Sequence, residues 1–131
     1  MGIELHRRYS LVTLAYMAGI FLLSTIPGSG AESNRPIFFR FAWNLLHIPV
    51  YAGLTFCFAQ AVAGGMAGEV PRWGPYWLAF WGTTAYAVFD EWHQSFVPAR
   101  YASVGDVLLD LTGVVGMLFF LRLRAGREVR W

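Results

Sequence analysis

Asp90-Glu91-Trp92-His93-Gln94-Ser95-Phe96-Val97-Pro98-Ala99-Arg100, with Ser103, Asp106 and Asp110 close behind, is the stretch on which the reading of this chain turns. It holds four of the eight acidic residues, one of the three histidines and one of the ten arginines. The sequence on both sides is apolar: Asp90 closes the run 76–89, and Asp106 opens one that reaches Leu121. Ionisable groups at the ends of such segments are costly unless they pair or face water, so they mark a candidate site.

Composition sets the frame for that site. A chain of 131 residues is one domain. Hydrophobic residues make up 56%, charged residues 14%, and the mean hydropathy is +0.45, whereas a soluble domain carries about 25% charge. The balance points to a membrane. All ten cations are arginine, and a net charge of +2, scattered along the chain, does not suggest nucleic acid. Six Trp, six Tyr and eleven Phe suit the two membrane–water interfaces. Cys57 is alone in an apolar run, which excludes a disulfide framework and metal-type cysteine spacing; it reads as a small buried hydrophobe.

Taken in order, the chain offers four apolar spans. After a short polar head with Arg7 and Arg8, the first covers 10–26 and stops at Pro27-Gly28-Ser29-Gly30. A span needs about 17–25 apolar residues, so this one is short but adequate. Arginines before an apolar stretch also fit a signal peptide, yet an h-region is about 7–15 residues long and further apolar segments follow here. The second span covers 43–62, with Asn44, His47 and Tyr51 on one helical face and Pro49 inside it. The loop 63–73, rich in Gly, leads to a third span at 76–95, which Pro98 brings to an end. The fourth covers 104–121. The expected fold is an all-α integral membrane protein, a single domain of four transmembrane helices.

Four spans put both termini on one side. The terminal segments and the loop 63–73 carry seven arginines, against Arg35, Arg40 and Arg100 in the other two loops. The positive-inside rule then places both termini in the cytoplasm. Asp90–Arg100, Asp106 and His47 consequently reach the same, outer, membrane depth from three different spans.

Asp90-Glu91-x-His93-Gln94-x-Phe96-x-Pro98-x-Arg100, then Ser103, Asp106, Gly113 and Gly116, resembles the signature of VanZ-like membrane proteins. His47-x-x-x-Tyr51 is similar to that family's other motif. The resemblance runs in matching order over most of the chain and departs at two places. Asn44 stands where the family usually has lysine, and Asp110 where it often has asparagine. It implies a bacterial inner-membrane protein, in a family whose namesake is linked to low-level resistance to the glycopeptide teicoplanin.

The candidate ligand-binding residues are His47, Tyr51, Asp90, Glu91, His93, Gln94, Arg100, Asp106 and Asp110, with His47, Asp90, His93, Arg100 and Asp106 expected to line one outward-facing pocket. Each also has a plainer reading. Glu91 at a helix end is simply wet; Ser103-x-x-Asp106 is a capping box ahead of an apolar run; His47 and Tyr51 make an interhelical hydrogen bond; Arg100 snorkels or holds a phosphate or carboxylate. Asp110 lies one turn deeper than a cap and needs a partner, Arg100 or His47. Gly113 and Gly116 read as small residues for close helix contact.

Three functions remain open. One is binding or handling an envelope lipid or lipid-linked precursor. A second is an intramembrane enzyme, with His47 or His93 as base and Asp90 or Asp106 orienting it. The third is a structural or regulatory subunit locked by its polar cluster. A metal held by His47, His93 and a carboxylate is conceivable under the second, but no HExxH or other dense ligand spacing is present, and neither a metal nor a cofactor is expected. Homo-oligomerisation stays open.

Overall fold

The computed structural model describes residues 5–28, 36, 38, 44–63 and 73–128. Among them are four α-helices and no strand: α1 (Arg7–Ser24), α2 (His47–Val62), α3 (Trp73–Gln94) and α4 (Val104–Glu128). The expected spans overlie these helices, although α1 begins and ends earlier than 10–26, and α4 runs on past Leu121. The start of the second span at residue 43, most of the Gly-rich loop and the arginines Arg35, Arg40, Arg72 and Arg130 lie outside the described residues.

Local chemistry explains the ends. α1 gives way at Thr25 and Ile26, two residues short of the proline–glycine pair. α2 begins at His47 with Leu46 as its N-terminal flank, so Pro49 stands in the first turn and not mid-helix. There a missing N–H forfeits at most the one bond back to Leu45, in the short helical turn at Asn44 and Leu45 that leads into α2. α3 tightens at its end: Phe96 N–H donates to His93 O and Val97 N–H to Gln94 O, each at 3.0 Å, before Pro98 stops it. Ser103 then starts α4, its Oγ accepting the Gly105 N–H at 3.1 Å.

Helix α2 is central, packing most extensively on α4 and also on α1 and α3. The α2–α4 approach depends on Gly113, because a Cβ there would run into the Ile48 carbonyl and crowd the Ala52 N at 3.0 Å. Gly116 does not share that role, since it faces open space one turn further on. Two apolar clusters fill the interior. One gathers Ile20, Tyr51, Leu54, Ala87 and Val114; the other gathers Ala59, Tyr76, Ala79 and Leu121.

The polarity is inverted relative to a water-soluble domain. Thr13, Ser24, Thr55, Thr83, Asp90, Glu91, Gln94 and Asp110 are buried, while Leu14, Leu22, Trp77, Trp81, Trp92 and Phe119 are exposed. Thr13 and Thr55 satisfy their hydroxyls on the carbonyls of Tyr9 and Tyr51, one turn back. Cys57, expected in the core, is only half-buried.

Chain direction sorts the polar residues into two ends. The C-terminal ends of α1 and α3 meet the N-terminal ends of α2 and α4 at one end, as Gly28 N–H to Pro98 O at 3.1 Å and the contacts below attest. At the other end His6 N–H bonds Ala61 O at 2.9 Å, and the Arg122 guanidinium lies 4.5 Å from the Trp73 ring centroid. Arg7, Arg8, Arg122 and Arg124 all belong to that second end.

Candidate functional site

The first end of the helices holds a cavity of about 250 Å³. Ile20 and Leu23 of α1, with Leu46 and Val50, supply apolar wall. His47 and Tyr51 of α2, Asp90 and Gln94 of α3, Arg100 of the following loop and Ser24 of α1 supply the polar wall. The i, i+4 pairs His47/Tyr51 and Asp90/Gln94 each put two polar groups on one face of one helix.

A chain of hydrogen bonds runs along this wall. Arg100 Nη1 donates to Gln94 Oε1 at 3.3 Å, and Gln94 Nε2 donates to Asp90 Oδ2 at 2.9 Å. The same guanidinium donates from Nε to Ile26 O at 3.0 Å and from Nη2 to Leu23 O at 3.2 Å. Leu23 O lies in the last turn of α1 and also accepts the Ile26 N–H at 3.3 Å, while Ile26 O lies just beyond the helix. Arg100 is therefore a cap for α1 as well as a wall of the cavity. Three of its five N–H groups are engaged by these bonds, which leaves two. Among the described residues, Asp90 Oδ1 and the Tyr51 hydroxyl are buried without a hydrogen-bond partner. Both residues belong to the cavity wall.

A second cluster adjoins the cavity and shares His47 with it. His47 Nδ1 lies 2.8 Å from Oδ1 of Asp110, which is only 1% exposed. The bond holds the imidazole in one orientation, and with Asp110 ionised, an acceptor only, it is Nδ1 that carries the proton. Of the two partners foreseen for Asp110, His47 takes it; Arg100 is directed at Gln94 and α1 instead.

Glu91 departs from the wet helix end that its position suggests. It is buried, and its Oε2 accepts the Ser103 N–H at 2.9 Å. In a capping box that N–H is taken by the acidic residue three positions on, here Asp106. Glu91 of α3 fills the place from outside, joining α3 to the start of α4. The Ser103 hydroxyl still caps the helix, through the Gly105 N–H, while the Asp106 N–H goes to Ser103 O. A ring nitrogen of His47 and one carboxylate oxygen from each of Glu91 and Asp106 lie within 4.8 Å of one another.

Two expected members of the cavity stand apart from it. His93 turns toward α1, its Nδ1 3.3 Å from Ser24 Oγ and its ring 4.5 Å from the Phe21 ring. It shares an i, i+3 face with Asp90, but the packing of α3 on α1 claims its ring first. Asp106 lies with the His47–Glu91 cluster and not on the cavity wall. Conversely, Ser24 reads in the sequence as one more residue of an apolar run, with no charge or motif to single it out.

A family model described as VanZ/LLP1 matches residues 6–124 of the chain. No curated protein and no solved structure matches it.

Proposed function

The chain belongs to the VanZ/LLP1 family, and from that premise we propose that it is a four-span protein of the bacterial inner membrane that binds an envelope lipid, or a lipid-linked precursor, by its headgroup. The observation that carries this reading is the cavity with one apolar wall and one polar wall. Its polar side offers two spare N–H groups on Arg100, suited to a phosphate. It also offers the unpartnered Asp90 Oδ1 and Tyr51 hydroxyl, suited to a headgroup hydroxyl or amine. Ile20, Leu23 and Val50 suit the start of an acyl chain.

Several features support the membrane part. One helix, over Val104–Ala125, is long and apolar enough to cross a membrane. α2, with 16 residues, is about 24 Å long and shorter than a hydrocarbon core of about 30 Å, but a helical turn at Asn44 and Leu45 precedes it. The outward faces of α1 and α3 present leucine and tryptophan, an extent of exposed apolar surface that water-soluble monomers avoid. With Arg7, Arg8, Arg122 and Arg124 at one end, the positive-inside rule puts that end and both termini in the cytoplasm, and the cavity toward the outer leaflet.

The test is lipid capture. Protein purified in mild detergent is analysed by native mass spectrometry before and after delipidation and re-addition of single phospholipids. One retained phospholipid, lost in Tyr51→Phe with Asp90→Asn, is the expected result. A delipidated protein that retains no phospholipid from any added class would refute the reading.

A further inference from the structure

We propose that His47, Glu91 and Asp106 form a binding site for a divalent first-row transition metal such as zinc, with Asp110 orienting the histidine. One imidazole and two carboxylates are a donor set that such ions accept. The three residues come from α2, α3 and α4, yet one ligand atom of each lies within 4.8 Å of the others. Ligand atoms around zinc at about 2.0–2.2 Å stand roughly 3.5 Å apart. Closing the cluster on an ion therefore takes shifts of about 1 Å, within the reach of the half-buried Asp106 in the first turn of α4.

Two further observations point to a ligand. Glu91 is 5% exposed, and its Oε1 has no partner among the described residues, although its Oε2 is held by Ser103. A buried carboxylate oxygen left bare costs free energy that a cation would recover. Independently, Asp110 engages His47 at Nδ1, so with the shared proton on Nδ1 it is Nε2 that offers a lone pair. A carboxylate behind a histidine is the arrangement that fixes the tautomer and basicity of metal-bound imidazoles. Charge adds to both: Asp90, Glu91 and Asp110 are buried at one end of the molecule with Asp106 beside them, and Arg100 is directed at α1 and Gln94. A dication supplies the balance. Three protein ligands leave at least one coordination position open, the count of catalytic rather than structural zinc sites.

The site stands without the lipid reading, so the experiment is done in detergent with no lipid added. Chelator-stripped protein is titrated with Co²⁺, followed by its visible absorption, and Zn²⁺ is then used to displace it. One equivalent of Co²⁺ should bind saturably and be displaced. Glu91→Gln keeps an acceptor for Ser103, and Asp106→Asn alters a half-exposed side chain, so both should fold. Each should weaken binding at least ten-fold, and Asp110→Asn should weaken it about ten-fold or more through the histidine. Trp81→Phe, on the exposed face of α3 and away from both the cavity and the cluster, should bind as the parent does. Absence of one-equivalent binding in the parent, or parent-like binding in both Glu91→Gln and Asp106→Asn, would overturn the proposal.

Discussion

His47 and Asp110, sixty-three residues apart, are joined by a 2.8 Å contact between Nδ1 and Oδ1 that ties the N-terminal turn of α2 to the second turn of α4. The carboxylate is almost fully enclosed, while the imidazole keeps a quarter of its surface open. His47→Ala should therefore strand a buried carboxylate and lower stability by about 3 kcal/mol. Asp110→Asn keeps an oxygen to accept the Nδ1–H, so it should cost less than about 1.5 kcal/mol. Thermal unfolding of the two variants in detergent, with the double variant to close the cycle, checks the order. Equal losses would mean that burial of the charge is not what His47 offsets.

The bond from Ser103 N–H to Glu91 Oε2 predicts a different pattern. Glu91→Ala should cost about 1–2 kcal/mol, the usual worth of a helix N-terminal cap. It should also speed amide exchange at the start of α4. Glu91→Gln retains an acceptor and should fall within about 0.5 kcal/mol of the parent. Asp106→Asn should leave exchange at Ser103 unchanged, since Asp106 does not hold that N–H.

The four helices and the gathering of His47, Asp90 and Asp106 at one end were legible in the sequence because apolar run length and chain direction decide them. Which way each side chain faces was not. In α3 both faces are rich in apolar residues, so no amphipathic stripe marks the inside. The rotation that buries Glu91 and sends His93 to Ser24 is set by packing on α1 and α4. The capping motif was legible too, but a pattern within one segment cannot reveal that a residue from another helix takes over half of it. Ser24 carries no sequence signal at all: a serine in an apolar run looks the same whether it faces lipid, a neighbour or a cavity.

Gly113 and Gly116 have the same spacing appeal and different surroundings, which makes them a matched pair. Gly113→Ala drives a methyl group into the Ile48 carbonyl and should force α2 and α4 apart, at a cost of about 1–3 kcal/mol. Gly116→Ala meets nothing within 4 Å and should gain up to about 1 kcal/mol from helix propensity. Melting temperatures in the same detergent decide the matter. A Gly116 variant as damaged as the Gly113 variant would mean that this face is covered by something beyond the single chain.

The proposed four-span topology makes its own prediction. Reporter fusions after Ser33 and after Ala102 should read as external, and one after Trp131 as cytoplasmic. External activity after Trp131 would reverse the orientation and place the cavity on the inner leaflet.

Arg100 separates the cap from the headgroup. Its bonds to Ile26 O and Leu23 O hold the end of α1, and its bond to Gln94 steadies the cavity wall. Arg100→Ala should cost about 1–2 kcal/mol without any lipid, since these partly exposed bonds each contribute modestly. Arg100→Lys should fall between, because an ammonium is a point charge and cannot reproduce the fork. Added native phospholipid should raise the melting temperature of the parent, through preferential binding to the folded state. If the two remaining N–H groups meet a lipid phosphate, that rise should vanish in Arg100→Ala and shrink in Arg100→Lys. A rise of undiminished size in Arg100→Ala would confine the residue to its capping role and move the headgroup contact to Asp90 and Tyr51.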